Sequence, residues 1–277
     1  NMRLFISGSA PLLEETFAAF EARTGHCLLE RYGMTETGMN TSNPLDGERR
    51  PGTVGLPLPR VKVKIVGEDG AELPPGEVGE ICASGPNIMQ GYHHQPEATE
   101  QVLRDGWLHT GDMGTLDADG YLSITGRQKE MVIVGGMNVF PAEVESVLDD
   151  HPAVMMAAVV GEHDEKRGES VKAFVVPKNP RLIGSEEAVA FAKEMAQQAT
   201  AMGIAASAEG EGRVPVDAGG VPQPATDISS LEELESALKS HASEHLPQFK
   251  RPRSYEFRAS LPIGPTGKVV KKKLQGG

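Results

Sequence analysis

The chain has 277 residues, 39% hydrophobic and 24% charged, with a formal net charge of −12 from 27 Lys and Arg against 39 Asp and Glu. That length suits one large domain or two ordinary ones. No run approaches the roughly 20 apolar residues of a membrane span, and the acidic balance excludes the overall basic footprint of a nucleic-acid binder. Two cysteines, Cys27 and Cys82, are too few for a disulfide framework or a cysteine zinc site, and fit a reducing, cytoplasmic setting.

In chain order, residues 4–6 form a short apolar run that reads as the start of a buried strand. Because the ends of a domain are usually loose, a chain opening in this way reads as a piece of a longer protein. The run breaks at Ser7-Gly8-Ser9-Ala10-Pro11. Leu13, Phe17 and Phe20 fall at helical spacing and predict a helix over 12–23, closed by Gly25. A strand over 27–29 follows, and strand, helix, strand favours a parallel sheet. Residues 61–66 alternate strictly and predict a half-buried strand; 79–83 reads as another. Asp117-Ala118-Asp119-Gly120 lies between 113–116 and 121–124, a hairpin pattern. This middle stretch predicts a small antiparallel or barrel-like unit.

Near Gly126-Arg127-Gln128-Lys129 the pattern changes. Residues 131–134 predict a strand ending in Gly135-Gly136. A helix is expected over 141–149, with Pro141 tolerated in its first turn and Val144, Val147 and Leu148 apolar. Strands are expected over 154–160, 171–176 and 255–257, and a helix over 231–246 with Leu231, Leu234 and Leu238 on one face. The order β-α-β-β-α-β predicts a compact α+β unit. Residues 186–202 read as an additional helix, and 204–228, rich in Gly, Ala, Pro and Ser, as a flexible stretch. The insertion as a whole is placed at about 183–228.

The most informative segment is Tyr32-Gly33-Met34-Thr35-Glu36-Thr37. A Gly-containing turn after a strand exposes backbone amides, and a Thr hydroxyl can donate to phosphate. An adjacent carboxylate suits Mg²⁺, which takes one or two protein carboxylates plus phosphate oxygens and waters. Taken alone, the hexapeptide is equally an ordinary loop with an exposed Glu.

Five segments occur in order: Ser7-Gly8-Ser9-Ala10-Pro11-Leu12, Tyr32-Gly33-Met34-Thr35-Glu36, Gly111-Asp112, Gly126-Arg127-Gln128-Lys129 and Pro265-Thr266-Gly267-Lys268. Their order and approximate spacing resemble the adenylate-forming acyl-CoA synthetases, end to end except for the insertion. The family's first phosphate loop, rich in Ser, Thr and Gly, would lie upstream, in the missing N-terminal part of the same protein. The resemblance implies an α/β and α+β chain. Residues 1–128 would be the C-terminal portion of a large adenylation domain, a parallel sheet plus a small antiparallel β unit. Residues 129–277 would be a small, mobile α+β lid domain. It implies a two-step reaction with ATP, Mg²⁺ and coenzyme A: formation of an acyl-adenylate, then of an acyl-CoA thioester. A fragment of this kind is expected to be inactive without the rest of its protein.

Position by position, the resemblance gives Gly8, Ser9 and Ala10 the end of the adenine-pocket strand. Tyr32 would stack on adenine, with Gly33 and Met34 beside it. Thr35 would touch phosphate, Glu36 would hold Mg²⁺, and Asp112 would accept hydrogen bonds from the ribose hydroxyls. Arg127 matches the family's ribose- and phosphate-contacting Arg; its bland alternative is a surface ion pair, usually worth under about 1 kcal/mol. Lys129 would be the hinge. Gly135 and Gly136, lacking Cβ atoms, would let a thin pantetheine arm pass, although a simple hairpin turn accounts for them equally well. Lys268 would be catalytic, its compact ammonium bridging the attacking carboxylate and the α-phosphate. The alternative for Lys268 is one more solvated charge before Lys271, Lys272 and Lys273.

Arg31 stands where the family usually lines its acyl pocket with a small residue. A guanidinium there would exclude a long tail or bulky aryl group and clamp a second carboxylate through two hydrogen bonds. Glu30-Arg31 together with Met39-Asn40-Thr41-Ser42-Asn43-Pro44 is similar to the malonyl-CoA synthetases, which makes malonate the expected acid. The alternative is that Arg31 salt-bridges Glu30 or another neighbour and faces away. Other readings are a ligase for another short-chain or aryl acid, an amino-acid-activating domain, or a non-catalytic nucleotide-binding module. The joint presence of Lys268, Glu36 and Asp112 argues against the last. His93 and His94 are adjacent with no obvious third ligand, a poor metal site, and Cys27 and Cys82 read as buried thiols.

Overall fold

A computed structural model describes residues 2–8, 12, 14–201, 227–264 and 268–275. The chain divides into two compact units, 1–130 and 131–277. Among the described residues no helix is long and apolar enough to cross a membrane.

Among the described residues the first unit holds two sheets. Strands β1 (Ile6–Ser7), β2 (Leu29–Tyr32), β3 (Thr41–Ser42) and β4 (Leu56–Pro57) lie side by side in that order, with helix α1 (Glu14–Thr24) connecting β1 to β2. The β1–β2 pair is parallel, as strand, helix, strand predicts; β3 and β4 then pair antiparallel. Two expectations need correction. Ile6 is 54% exposed rather than in a buried strand, because β1 pairs with β2 alone among the described strands. Cys27 precedes its strand and is half-buried, its thiol donating to Glu21 Oε1 at 2.8 Å.

The second sheet is entirely antiparallel. It contains β5 (Lys62–Val66), β6 (Gly79–Ser84), β7 (Leu103–Arg104), β8 (Trp107–Leu116) and β9 (Leu122–Arg127), with α2 (Pro96–Val102) leading into β7. Its order is β5-β6-β8-β7, and β9 also pairs with β8. The period of two puts Ile65 and Ile81 into a core with Leu122 and Tyr32, and leaves Lys64, Glu80 and Cys82 on the opposite face. The expected hairpin forms between β8 and β9: Asp117 Oδ1 accepts from the amides of Asp119 and Tyr121, an Asx-type turn.

The second unit is an α+β sandwich. Strands β10 (Val132–Val134), β11 (Met137–Val139), β12 (Val154–Asp164), β13 (Gly168–Pro177) and β14 (Ser254–Phe257) form one sheet, in the order β11-β10-β13-β12 with β14 parallel to β13. Helices α3 (Pro141–Asp149) and α5 (Leu231–His245) cover one face through Val144, Leu148, Leu234 and Leu238, against Val159, Val171, Ala173 and Val175. The alternate residues Ala158, Val160, Phe174 and Val176 meet Phe191 of α4 (Glu186–Ala201), Leu261 and Leu274 on the other face. Each fully buried Val or Leu in these layers is worth about 1.5–3 kcal/mol of transfer free energy. α5 starts where Ser230 Oγ accepts from Glu233 N–H, and the Glu233 carboxylate accepts from Ser229 N–H. The hairpin turn offered as the alternative for Gly135-Gly136 forms, joining β10 to an antiparallel β11 that, at three residues, is too short to show a period of its own. The flexible stretch expected at 204–228 lies outside the described residues apart from 227 and 228.

Candidate active site

The Tyr32–Thr37 segment leaves β2 and turns sharply. Thr37, fully buried, closes the turn twice: its N–H donates to Met34 O at 3.1 Å, and its hydroxyl accepts from Met34 N–H at 3.3 Å. Gly33 is required by packing, since a Cβ there would be driven into the Gly38 carbonyl. Thr35 is thereby presented exposed and Glu36 half-buried.

A second loop, between β6 and α2, braces this turn. The Asn87 side-chain amide donates to Thr37 O at 2.9 Å and Met39 O at 3.2 Å, and Met89 N–H donates to Glu36 O at 2.8 Å. The Tyr92 hydroxyl donates to Glu36 Oε1 at 3.0 Å. Among the described residues no hydrogen bond reaches Glu36 Oε2, so this half-buried carboxylate is held through one oxygen, next in sequence to the exposed Thr35. This donor set fits Mg²⁺, which seldom takes more than one or two protein carboxylates. Asn87 and Tyr92 escaped the sequence reading because their contacts cross about fifty residues and carry no spacing signal.

Asp112 is brought to Tyr32 across 80 residues of chain. The phenol donates to Asp112 Oδ2 at 2.6 Å, and Arg127 Nε pairs with Oδ1 at 3.0 Å from the facing position on β9. Asp112 is 6% exposed, while the Arg127 side chain remains 57% exposed. Burial and the neighbouring carboxylate push the Tyr32 phenol well above its usual range, so it remains a donor at any working pH. Tyr32 also belongs to the core with Ile65, Ile81 and Leu122. Arg127 is thus an ion pair, as its bland alternative had it, but its partner is the predicted ribose-binding carboxylate.

Asp112 sits at an irregularity in β8. Glu80 Oε1 accepts from Gly111 N–H at 3.0 Å, and Thr110 Oγ1 donates to Ile81 O at 2.7 Å. Gly111 has φ of 69°, a left-handed conformation that favours glycine. The Gly111-Asp112 motif is the sequence trace of this bulge.

On β2 the side chains alternate: Glu30 and Tyr32 are buried, while Arg31 is exposed. The two charges therefore do not pair, which removes the Arg31–Glu30 salt bridge as a reading. Arg31 Nη1 reaches Met39 Sδ at 3.6 Å, and a Cβ on Gly8 would lie 3.2 Å from Arg31 Cγ, so Gly8 and Arg31 are brought together at the end of β1. Ser9 and Ala10 lie outside the described residues. Glu30 is 6% exposed, its Oε1 is buried without a hydrogen-bond partner, and burial, with Glu14 adding to it, pushes its carboxyl up to about 7.

The remaining candidates are split between the units. Lys129 lies exposed in a short 3-10 turn, Gln128–Glu130, at the end of the first unit. Gly135 and Gly136, with φ of 59° and 82°, make the tight turn between β10 and β11 in the second. Lys268 is exposed; Gly264 N–H donates to its carbonyl at 2.7 Å and Ile263 faces Val269, while Pro265, Thr266 and Gly267 of the motif lie outside the described residues.

A model described as "AMP-binding enzyme" matches residues 1–93, and one described as "AMP-binding enzyme C-terminal domain" matches residues 143–216. A long-chain-fatty-acid–CoA ligase of Salmonella typhimurium is 33% identical over 276 residues, 99% of this chain and 40% of that protein. A sulfoacetate–CoA ligase of Cupriavidus necator is 36% identical over 277 residues, 99% of this chain and 44% of that protein. The ATP-bound crystal structure of MatB from Rhodopseudomonas palustris superposes with a TM-score of 0.76 at 38% identity, covering 99% of this chain and 45% of that one. The chain therefore spans about two fifths of the length of the curated relatives it matches.

Proposed function

The chain belongs to the family of AMP-binding enzymes, and from that premise we propose that its parent protein is an AMP-forming acid–CoA ligase. The observation that carries this is the convergence at the end of β2. Tyr32 is bonded to Asp112, Asp112 to Arg127, and three residues past Tyr32 the turn presents Thr35 and Glu36. One nucleotide spans such a set: base near Tyr32, ribose hydroxyls on Asp112, phosphates toward Thr35. Magnesium would supply charge neutralisation at the phosphates, with Glu36 as its protein ligand and Tyr92 holding that carboxylate in place.

In the first step an oxygen of the acid's carboxylate attacks the α-phosphorus of ATP and pyrophosphate leaves. In the second the thiol sulfur of coenzyme A attacks the acyl carbonyl and AMP leaves. We assign Lys268 to the first step, where its ammonium spreads the charge shared by carboxylate and α-phosphate. Lys129 is the proposed hinge and Gly135-Gly136 the proposed passage for the pantetheine arm, both on the family resemblance alone.

For the acid we propose malonate, or another short acid with a second anionic group. Two features support it: Arg31 is exposed and free of Glu30, and a relative carries the name sulfoacetate–CoA ligase. The long-chain-fatty-acid ligases at similar identity make the test a panel. Full-length protein is assayed for pyrophosphate and AMP release with CoA and malonate, sulfoacetate, acetate, benzoate and palmitate. Turnover with the dianionic acids above the rest supports the reading; palmitate as the best substrate removes it, and no AMP with any acid removes the ligase.

A further inference from the structure

We propose that Glu80, Cys82 and His109 form a binding site for a zinc-class divalent cation, separate from the magnesium site and independent of the ligase reading. The three residues share one face of the antiparallel sheet. Cys82 and His109 are direct cross-strand partners on β6 and β8, and Glu80 is two residues before Cys82, on the same side of the strand. One ligand atom from each, the Glu carboxylate oxygen, the Cys sulfur and a His ring nitrogen, lies within 4.8 Å of the other two. His109 Nδ1 is 2.7 Å from Glu80 Oε2 and 3.5 Å from Cys82 Sγ. Tetrahedral zinc, with bonds of about 2.0–2.3 Å, separates such donors by roughly 3.3–3.7 Å. The sulfur–nitrogen distance already matches, and the His–Glu pair needs to open by only about 0.6 Å.

The surroundings suit a built site. The Glu80 and His109 side chains are 19% and 18% exposed and Cys82 is fully buried, so one side is open to an entering ion and the sulfur is at the bottom. Glu80's second oxygen accepts from Gly111 N–H at 3.0 Å, which fixes the carboxylate plane as an outer-shell bond does in known metal sites. Lys64 of β5, the register partner of Cys82, has its ammonium 4.4 Å from the centre of the Trp107 ring. Burial and Glu80 hold the Cys82 thiol protonated in the metal-free protein, pushed up to about 12. A bound cation would displace the Cys82 proton to solvent, leave the neutral His109 ring with its proton on Nε2, and replace the contact between Nδ1 and Glu80 with two bonds to metal. One sulfur, one nitrogen and one oxygen select zinc, cadmium or a similar borderline-to-soft ion over magnesium.

The test is cadmium titration of the full-length protein in millimolar Mg²⁺, followed by thiolate-to-metal ultraviolet absorption, with zinc competition against a chromophoric chelator. The natural protein and Cys27→Ser should each show the band with one equivalent of cadmium. Cys82→Ser should lose it, and His109→Gln and Glu80→Gln should weaken cadmium binding at least tenfold. His109→Gln, which leaves Cys82 in place, keeps the test open if Cys82→Ser does not fold. A band that persists in Cys82→Ser, an affinity unchanged in His109→Gln, or no saturable binding would overturn the proposal and reduce any bound metal to an adventitious ion only.

Discussion

Replacing Glu30 by Gln should stabilise the protein above neutral pH and leave it nearly unchanged near pH 5. Glu30 is 6% exposed and its Oε1 has no hydrogen-bond partner; burial holds its carboxyl at about 7 against an ordinary 4.5. The folded-state value is raised, so between 4.5 and about 7 the folded chain holds a proton that the unfolded chain has released. Stability therefore falls as pH rises through this window, and the full cost is present above pH 7. At about 1.4 kcal/mol per pH unit the gap corresponds to roughly 3 kcal/mol. Gln keeps the size and polarity of the protonated group but cannot ionise. Urea unfolding of full-length protein at pH 5 and pH 8 should show the variant gaining about 2–3 kcal/mol on the natural sequence across that range. The opposite result, a variant that loses stability at pH 8, would mean that Glu30 is ionised and paired. Arg31 would be the obvious partner, and its availability to a substrate anion would fall with the reasoning.

Arg31→Ala should raise the malonate KM about ten- to hundredfold, the worth of hydrogen bonds to a charged group, with the ATP KM within about twofold; initial-rate kinetics check both, and an unchanged malonate KM removes the malonate assignment. Tyr92→Phe deletes the hydroxyl that holds Glu36 Oε1, so half-saturating Mg²⁺ should rise about fivefold, the equivalent of about 1 kcal/mol, while kcat stays within twofold. Manganese binding followed by electron paramagnetic resonance should show the same loss. Gly33→Ala forces a methyl into the Gly38 carbonyl and should cost on the order of 3 kcal/mol in unfolding free energy, or leave no folded protein.

The strand and helix periods were legible where segments were long or punctuated. Helix α3 is found over the expected residues because Pro141 marks its start and Val144 and Leu148 face the core. The β8–β9 hairpin is announced by its Asp-rich turn with Gly120. Two-residue strands such as β3 and β4 carry no period and exist only as partners in a sheet. In the candidate site the motif residues were readable one by one, but the bonds among them were not. Tyr32 and Asp112 are 80 residues apart, Tyr92 and Glu36 are 56 apart, and long-range pairing of this kind leaves no mark in either segment. The alternation that separates Glu30 from Arg31 was available in the sequence. It needed the strand to extend to Tyr32, beyond the apolar run that ended at Leu29.

The ligase account rests most directly on Lys268, and the two half-reactions of Lys268→Ala in the full-length protein test it. Pyrophosphate release from ATP and malonate should fall at least about a hundredfold, in line with a few kcal/mol of charge stabilisation. Thioester formation from supplied malonyl-adenylate and CoA should stay within about threefold of the natural protein. Adenylation at the natural rate in Lys268→Ala would contradict the account, as would an equal loss of both half-reactions.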